Sequence, residues 1–72
     1  MNLIGPNIRT IRKGINLSQK ELVARCNLLG WDISRGTLAK IESKTRRISD
    51  KEVLYLSQAL KVDINELFDI DS

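Results

Sequence analysis

Apolar residues recur at helical spacing along most of the chain, and no stretch alternates apolar and polar residues as a half-exposed strand does. Near the start, Ile4, Ile8, Ile11 and Ile15 follow one another at intervals of four, three and four residues, which places them on one face of a helix. Pro6 suits the first turn of that helix, where a missing N–H group costs nothing. The pattern predicts an all-α protein built from short helices.

Three capping boxes indicate where helices begin. Ser18, Ser49 and Asp63 are each followed three residues later by a glutamate, so each pair can satisfy two backbone N–H groups reciprocally. Each box opens a stretch with apolar residues at helical spacing. The five predicted helices are a first that ends at Gly14, a second over residues 19–27, a third capped by Ser34, a fourth over residues 50–61 and a fifth over residues 64–69.

The apolar faces of these helices predict the core. Leu54 and Ala59 are expected at the flanks of the buried face of the fourth helix. The predicted inward-facing residues are Ile4, Ile8, Ile11, Ile15, Leu22, Val23, Cys26, Leu38, Ile41, Val53, Leu56, Leu60, Leu67 and Phe68.

The length and the single cysteine predict a small, single-domain protein of a reducing compartment. We expect residues 1–72 to form one domain with its core at about residues 4–68. A chain this short buries only about 60% of its unfolded surface, so a partner subunit would stabilise it. No apolar run is long enough to cross a membrane, and no signal peptide is evident. One cysteine excludes an internal disulfide and favours a reducing compartment, so the expected location is cytoplasmic.

Charge is divided unevenly along the chain. The net charge is +3, but residues 9–47 hold ten basic and three acidic side chains, whereas residues 48–72 hold two basic and six acidic ones. Such a basic portion joined to an acidic end is typical of a surface that faces a polyanion. An ordinary solvated surface with chance asymmetry is the alternative interpretation.

Catalytic and metal-binding constellations are missing from the sequence. It has no histidine, which is the commonest general base and metal ligand. Cys26 falls on the apolar face of the second helix, where a small core residue is a better interpretation than a nucleophile. We therefore expect neither an enzyme nor a metal or cofactor site, and no small-molecule effector is evident.

Three segments together resemble one known family. Residues 14–22 read GINLSQKEL, and residues 33–44 read ISRGTLAKIESK. They are similar to the patterns G-L-S-Q-E-E-L and V-S-x-x-T-I-S-x-I-E-x-G of the Cro/repressor (XRE-type) helix-turn-helix DNA-binding family. Residues 54–68 are similar to the closing helices of that family. The resemblance implies a five-helix, lambda-repressor-like DNA-binding domain in which the helix after Ser34 enters the major groove.

The resemblance also implies which residues read bases. Arg35 at the start of the reading helix can donate two hydrogen bonds to guanine. Gly36 allows close approach but offers no side chain, Thr37 can contact a phosphate or a base, and Lys40 lies on the same exposed face. A merely solvated helix face is the alternative for Arg35 and Lys40.

Phosphate contacts are expected on both sides of that helix. In the family the glutamine that begins the second helix, here Gln19, commonly binds a backbone phosphate. A loop that only aids solubility is the alternative interpretation of the residues after the reading helix. The predicted phosphate contacts are Gln19, Ser34, Ser43, Lys44, Thr45, Arg46 and Arg47. Glu42 is expected to brace the scaffold by pairing with Arg12 or Arg9.

One segment departs from the family pattern. The connection at residues 27–33 is about four residues longer than the usual tight turn between the second and third helices. Leu28, Leu29 and Trp31 are predicted to cover the core beneath this lengthened turn. Base stacking or partner binding is the alternative role for Trp31.

These observations predict a sequence-specific DNA-binding transcriptional regulator, acting as a repressor and as a homodimer on an inverted-repeat operator in double-stranded DNA. The expected dimer surface lies around the fourth and fifth helices, with Leu67, Phe68 and Ile70 as candidates. Leu29 and Trp31 are the alternative surface. The alternative function is a protein-interaction module of the same fold that binds a regulatory protein instead of DNA.

Overall fold

Five α-helices form the structure, a computed structural model that describes residues 2–69. No strand occurs within that range, so the predicted all-α, five-helix fold is confirmed. The boundaries differ from the prediction by one or two residues at the ends of the second, fourth and fifth helices. The helices are α1 at Gly5–Gly14, α2 at Gln19–Leu28, α3 at Arg35–Glu42, α4 at Asp50–Leu60 and α5 at Ile64–Leu67.

The predicted capping residues begin four of these helices. Ser18 accepts a hydrogen bond from Glu21 N at 3.0 Å, while the Glu21 carboxylate accepts from Ser18 N at 2.9 Å. The box at Ser49 is formed in the same way, and Asp63 N donates to the Glu66 carboxylate at 3.3 Å before α5. Ser34 accepts from Thr37 N at 3.1 Å and so begins α3. These bonds satisfy N–H groups that lack acceptors within the helix.

Left-handed residues end the first four helices. A backbone N–H beyond each helix turns back to a carbonyl of its last turn, which is the Schellman arrangement. α1 ends at Gly14 as predicted, and the left-handed residue that terminates its backbone hydrogen bonding is Asn16, two residues later. The left-handed residues are Asn16 (φ 58°), Gly30 (φ 100°), Lys44 (φ 66°) and Lys61 (φ 59°).

The core lies between α1, α3 and α4, with α2 packed on α3 and α4 and with α5 packed on α4. Most predicted core residues are buried, although Ile11, Val23 and Val53 are only partly so. Ile15 and Phe68 are wrong predictions, since both side chains are about half exposed. Ile15 lies beyond the last helical turn of α1, where the helical spacing no longer applies. The buried apolar residues are Ile4, Ile8, Leu17, Leu22, Cys26, Ile33, Leu38, Ile41, Leu56, Ala59, Leu60 and Leu67.

Of the three residues in the lengthened connection that were predicted to cover the core, only Trp31 does so, and Ile33 of the same connection is buried as well. Leu28 is 88% exposed and Leu29 is 40% exposed, so both were wrongly predicted to cover the core. Leu28 is the last residue of α2, which ends one residue later than predicted and carries this side chain outwards. Trp31 is partly buried against the core and stacks on Tyr55 of α4, with ring centroids 5.6 Å apart.

The start of α1 is held against the end of α3. Asn2 donates from Nδ2 to Ile41 O at 2.7 Å and to Arg46 O at 3.1 Å, while its Oδ1 accepts from Gly5 N at 2.8 Å. A Cβ atom on Gly5 would collide with Ile41 O, so only glycine permits this close approach. These contacts fix α1 relative to the C-terminal end of the reading helix.

We predict that Lys61→Gly stabilises the protein. A non-glycine residue in the left-handed region costs about 1–2 kcal/mol, and the greater flexibility of unfolded glycine offsets part of that gain, so the expected increase is about 0.5–1 kcal/mol. Urea unfolding followed by circular dichroism measures the change. Gln58→Gly, three residues earlier and helical, is the control and should destabilise by about 1 kcal/mol. A loss of stability in both variants would contradict the strain at Lys61.

Candidate nucleic-acid interface

A buried ion pair joins α1 to the end of α3. Arg12 donates from Nε to Glu42 Oε2 at 2.8 Å and from Nη2 to Glu42 Oε1 at 3.1 Å. Its third nitrogen, Nη1, donates to Leu17 O at 2.8 Å. The two side chains are only 8% and 3% exposed. Of the two partners proposed for Glu42, Arg12 is therefore the correct one, and Arg12 faces the interior.

The same carboxylate holds Gln19 at the start of α2. Gln19 donates from Nε2 to Glu42 Oε1 at 3.0 Å. A carboxylate accepts hydrogen bonds and cannot donate them when ionised, so this contact determines which end of the Gln19 amide faces Glu42. The other end, Oε1, accepts from Arg35 Nε at 3.4 Å, which is a long contact. Four side chains from α1, α2 and α3 are thus connected, and Arg35 is the outermost.

Three of the four predicted base-reading residues on α3 are exposed to solvent. Arg35, Gly36 and Lys40 are exposed, whereas Thr37 is partly buried. The hydroxyls of Ser34 and Thr37 lie 3.1 Å apart and hydrogen-bond each other at the helix start. The structure therefore brings Arg35 and Gly36 together on one exposed end of α3, with Lys40 one turn further along.

Gly36 is not required by packing within the protein. A Cβ atom at this position would meet only Ser34 Oγ, at an ordinary distance of 3.8 Å. Its backbone is helical and its φ is not positive. The absence of a side chain at Gly36 thus has no internal cause in the part of the chain that the structure describes.

The loop after α3 is ordered by its own hydroxyl groups. Thr45 Oγ1 donates to Lys40 O at 3.1 Å, Ser43 Oγ donates to the same carbonyl at 3.2 Å, and the two hydroxyls lie 3.0 Å apart. Between them, Lys44 takes the left-handed conformation that the family pattern gives to glycine. The side chains of Lys44 and Arg47 are exposed.

Arg46 is placed differently from its neighbours. Its guanidinium makes a two-bond pair with Glu52 on α4, with distances of 3.0 and 2.9 Å. The hydrogen bonds and charge of Arg46 hold the pKa of Glu52 below its ordinary value, despite partial burial. Because Glu52 also completes the capping box of α4, Arg46 ties the loop to that helix. A phosphate contact by Arg46 would require it to leave Glu52.

An open cleft of about 530 Å³ lies between α1, the start of α2 and Arg35. No acidic residue lines it, and the first amides of α2 at its edge have no acceptor within the helix. The cleft that Arg9, Lys13 and Lys20 share appears only after folding, so no local pattern in the sequence indicates it. The lining residues are Arg9, Arg12, Lys13, Ser18, Gln19, Lys20 and Arg35.

Cys26, the free cysteine of residues 2–69, is buried in the core. Burial raises the pKa of the Cys26 thiol to about 11, so it remains protonated near neutral pH and is a poor nucleophile. No cluster of potential metal ligands occurs within this range. None of its helices is long and apolar enough to cross a membrane.

A comparison with known families identifies this arrangement. The sequence model of the helix-turn-helix family HTH_3 matches residues 8–67, which includes α2, the lengthened turn and α3. The chain belongs to this helix-turn-helix family. No curated protein and no solved structure matches the chain significantly. The protein is therefore a DNA-binding regulator of the Cro/repressor (XRE) kind, and its family is regulatory, not enzymatic.

We predict that Glu42→Ala destabilises this helix-turn-helix protein far more than Glu52→Ala does. Removal of Glu42 leaves Arg12 charged and buried, at an expected cost of about 3–5 kcal/mol. Removal of Glu52 breaks a partly exposed pair and a helix cap, at about 1–2 kcal/mol. Chemical unfolding of both variants measures the difference. Equal losses would contradict the central position of the Arg12–Glu42 pair.

Proposed function

We propose that the protein is a sequence-specific transcriptional regulator that represses as a homodimer bound to an inverted-repeat operator. With the second helix of the motif in the major groove, half-sites about 34 Å apart match two copies on one face of the DNA. Repression by occlusion requires no further activity from these residues. Residues 1–72 would act as one DNA-binding domain.

The observation that carries this proposal is the connection between Arg35, Gln19 and Glu42. The base-reading candidate and the phosphate-binding candidate touch each other, at 3.4 Å, and are anchored on a buried carboxylate at 3.0 Å. Such an arrangement limits the rotamers of both side chains before DNA binds, which reduces the entropic cost of binding. A merely solvated helix face would not need a buried anchor.

The proposed base contacts are Arg35 and Lys40, with Thr37 as a third contact and Gly36 as the point of close approach. Arg35 would donate from its guanidinium nitrogens to O6 and N7 of a guanine. Its link to Gln19 uses only Nε, so both terminal nitrogens remain for the base. Lys40 would contact a base or phosphate one helical turn further along the groove.

The proposed phosphate contacts lie on either side of α3. Lys44 and Arg47 are exposed cations on one side, and the cleft beside Gln19 adds Arg9, Lys13 and Lys20 on the other. Ser34, Ser43 and Thr45 would contribute hydroxyls that already cap the two ends of α3, and Arg46 would join only by giving up Glu52. This charge distribution supports binding that weakens steeply with salt.

We predict that Arg35→Ala and Lys44→Ala weaken DNA binding in different ways. Arg35→Ala should cost about 1–3 kcal/mol and relax specificity at one base pair of each half-site, since it removes a base contact. Lys44→Ala should weaken all sequences alike and reduce the salt slope by about one unit, since it removes a phosphate contact. Fluorescence anisotropy with a preferred duplex and single-base variants, at two or more salt concentrations, measures both effects.

Lys51→Ala, on the first turn of α4, is the control for loss of a lysine and should leave affinity and salt slope unchanged. Identical effects of Arg35→Ala and Lys44→Ala on every duplex would contradict the assigned roles. Wild-type affinity that is flat across sequences and salt would contradict the DNA-binding proposal and favour a protein-binding module.

We predict that Gly36→Ala lowers DNA affinity without lowering the stability of the protein. An added Cβ meets no crowded atom in the protein, and alanine favours a helix over glycine, so stability should stay equal or rise by up to about 1 kcal/mol. The same methyl group should lower DNA affinity if α3 approaches the base pairs closely at this point. Chemical unfolding measures the change in stability, and fluorescence anisotropy measures the change in DNA affinity. Unchanged affinity would show that Gly36 does not face the DNA.

A further inference from the structure

The end of α2 and the end of α4 form an apolar groove of about 280 Å³. Leu28 and Leu29, both exposed, form one wall, and the buried Ala59 lies on the opposite side. Leu28 is at the far end of α2 from Gln19, about 14 Å away along a ten-residue helix. A partner in this groove would therefore not compete with contacts at Gln19 and Arg35.

The structure holds these leucines outwards. Gly30 in the left-handed region ends α2, and Asn27 Nδ2 donates to Trp31 O at 2.9 Å and to Ile33 O at 3.3 Å. Trp31 is fixed in turn by its stack on Tyr55. Because the turn is ordered without a partner, docking here costs little conformational entropy. A well-ordered, exposed apolar patch of this kind is characteristic of an interaction surface.

The rim of the groove is basic. Arg25 and Lys61 line it, and none of the lining residues is acidic. Arg25 is held in place by a hydrogen bond from Nη1 to Ala59 O at 3.0 Å. Glu21 lies one turn before Arg25 on α2, and its carboxylate accepts a hydrogen bond from Ser18 N in the capping box. An apolar groove with a cationic rim fits a segment that is both apolar and acidic.

Residues 63–69 of this chain have that chemistry. Ile64 is the first residue of the short helix α5 and Phe68 follows its last residue, and both side chains are exposed. Asp63 and Asp69 are exposed acidic residues at the two ends of the segment, with Glu66 between them. Leu67, which was expected to contribute to a dimer surface, is fully buried, and Ile70 lies outside the described residues.

We propose that the groove at Leu28 and Leu29 binds residues 63–69 of a second copy of this chain, and reciprocally, to form the homodimer. Contact of the groove with itself is disfavoured, because it would bring Arg25 and Lys61 of two copies together. Ile64 follows Lys61 by only three residues, a span of at most about 11 Å, so groove and segment are neighbours on one molecule. A two-fold axis between them satisfies both contacts at once and closes the assembly as a dimer.

The inference refines the proposed homodimer, and sedimentation velocity without DNA tests it separately from DNA binding. The wild type should show a concentration-dependent dimer that weakens with added NaCl. Leu28→Ser removes the groove wall and Ile64→Ser removes the inserted side chain, so each should raise the dimer dissociation constant by about tenfold or more. Ile15→Ser, just beyond α1 and exposed to about the same extent as Ile64, is the control and should behave as the wild type.

An equimolar mixture of Leu28→Ser and Ile64→Ser decides the geometry. The first variant keeps an intact segment and the second an intact groove, so the mixture should associate more strongly than either variant alone. Failure of the mixture to recover association would overturn the reciprocal contact in favour of another surface. A monomeric wild type, or a dimer unaffected by Leu28→Ser, would overturn the proposal outright, and neither result depends on whether the protein binds DNA.

Discussion

The buried pair of Arg12 and Glu42 is the interaction on which the rest of this structure depends. It joins the last turn of α1 to the last residue of α3, where two charges would otherwise be left in a core of aliphatic side chains. Its cost is offset by bidentate geometry and by the further bonds from Arg12 to Leu17 O and from Gln19 to Glu42. Because Gln19 then contacts Arg35, the pair that holds the scaffold is also connected to one of the proposed reading residues.

Two residues proposed to bind partners carry conformational strain or exposed apolar surface. Lys44 occupies a left-handed position where the family pattern has glycine, and it adds a cation immediately beyond α3. Leu28 is held in solvent at the end of α2. Both features lower the stability of the isolated domain. Both are explained if Lys44 binds DNA and Leu28 binds a second copy of the chain.

The sequence predicts the helices well because four of the five begin at a capping residue, such as Ser18 or Ser34, and continue with a helical apolar pattern. The prediction of burial fails at the ends of helices. Ile15 matches the spacing of α1 but follows its last turn, and Leu28 is the last residue of α2 and points outwards. The burial of Arg12 and the cleft shared by Arg9 and Lys20 were not predictable in detail. They depend on how α1 packs against α2 and α3, which no local pattern records.

The account is tested most directly by selecting duplexes that bind the wild-type chain from a random-sequence pool and measuring the affinity of the selected DNA against salt. Anchored reading residues predict enrichment of an inverted repeat with a fixed guanine in each half-site, together with a steep loss of affinity as salt rises. A pool that remains random after repeated selection, with affinity independent of salt, would contradict the account.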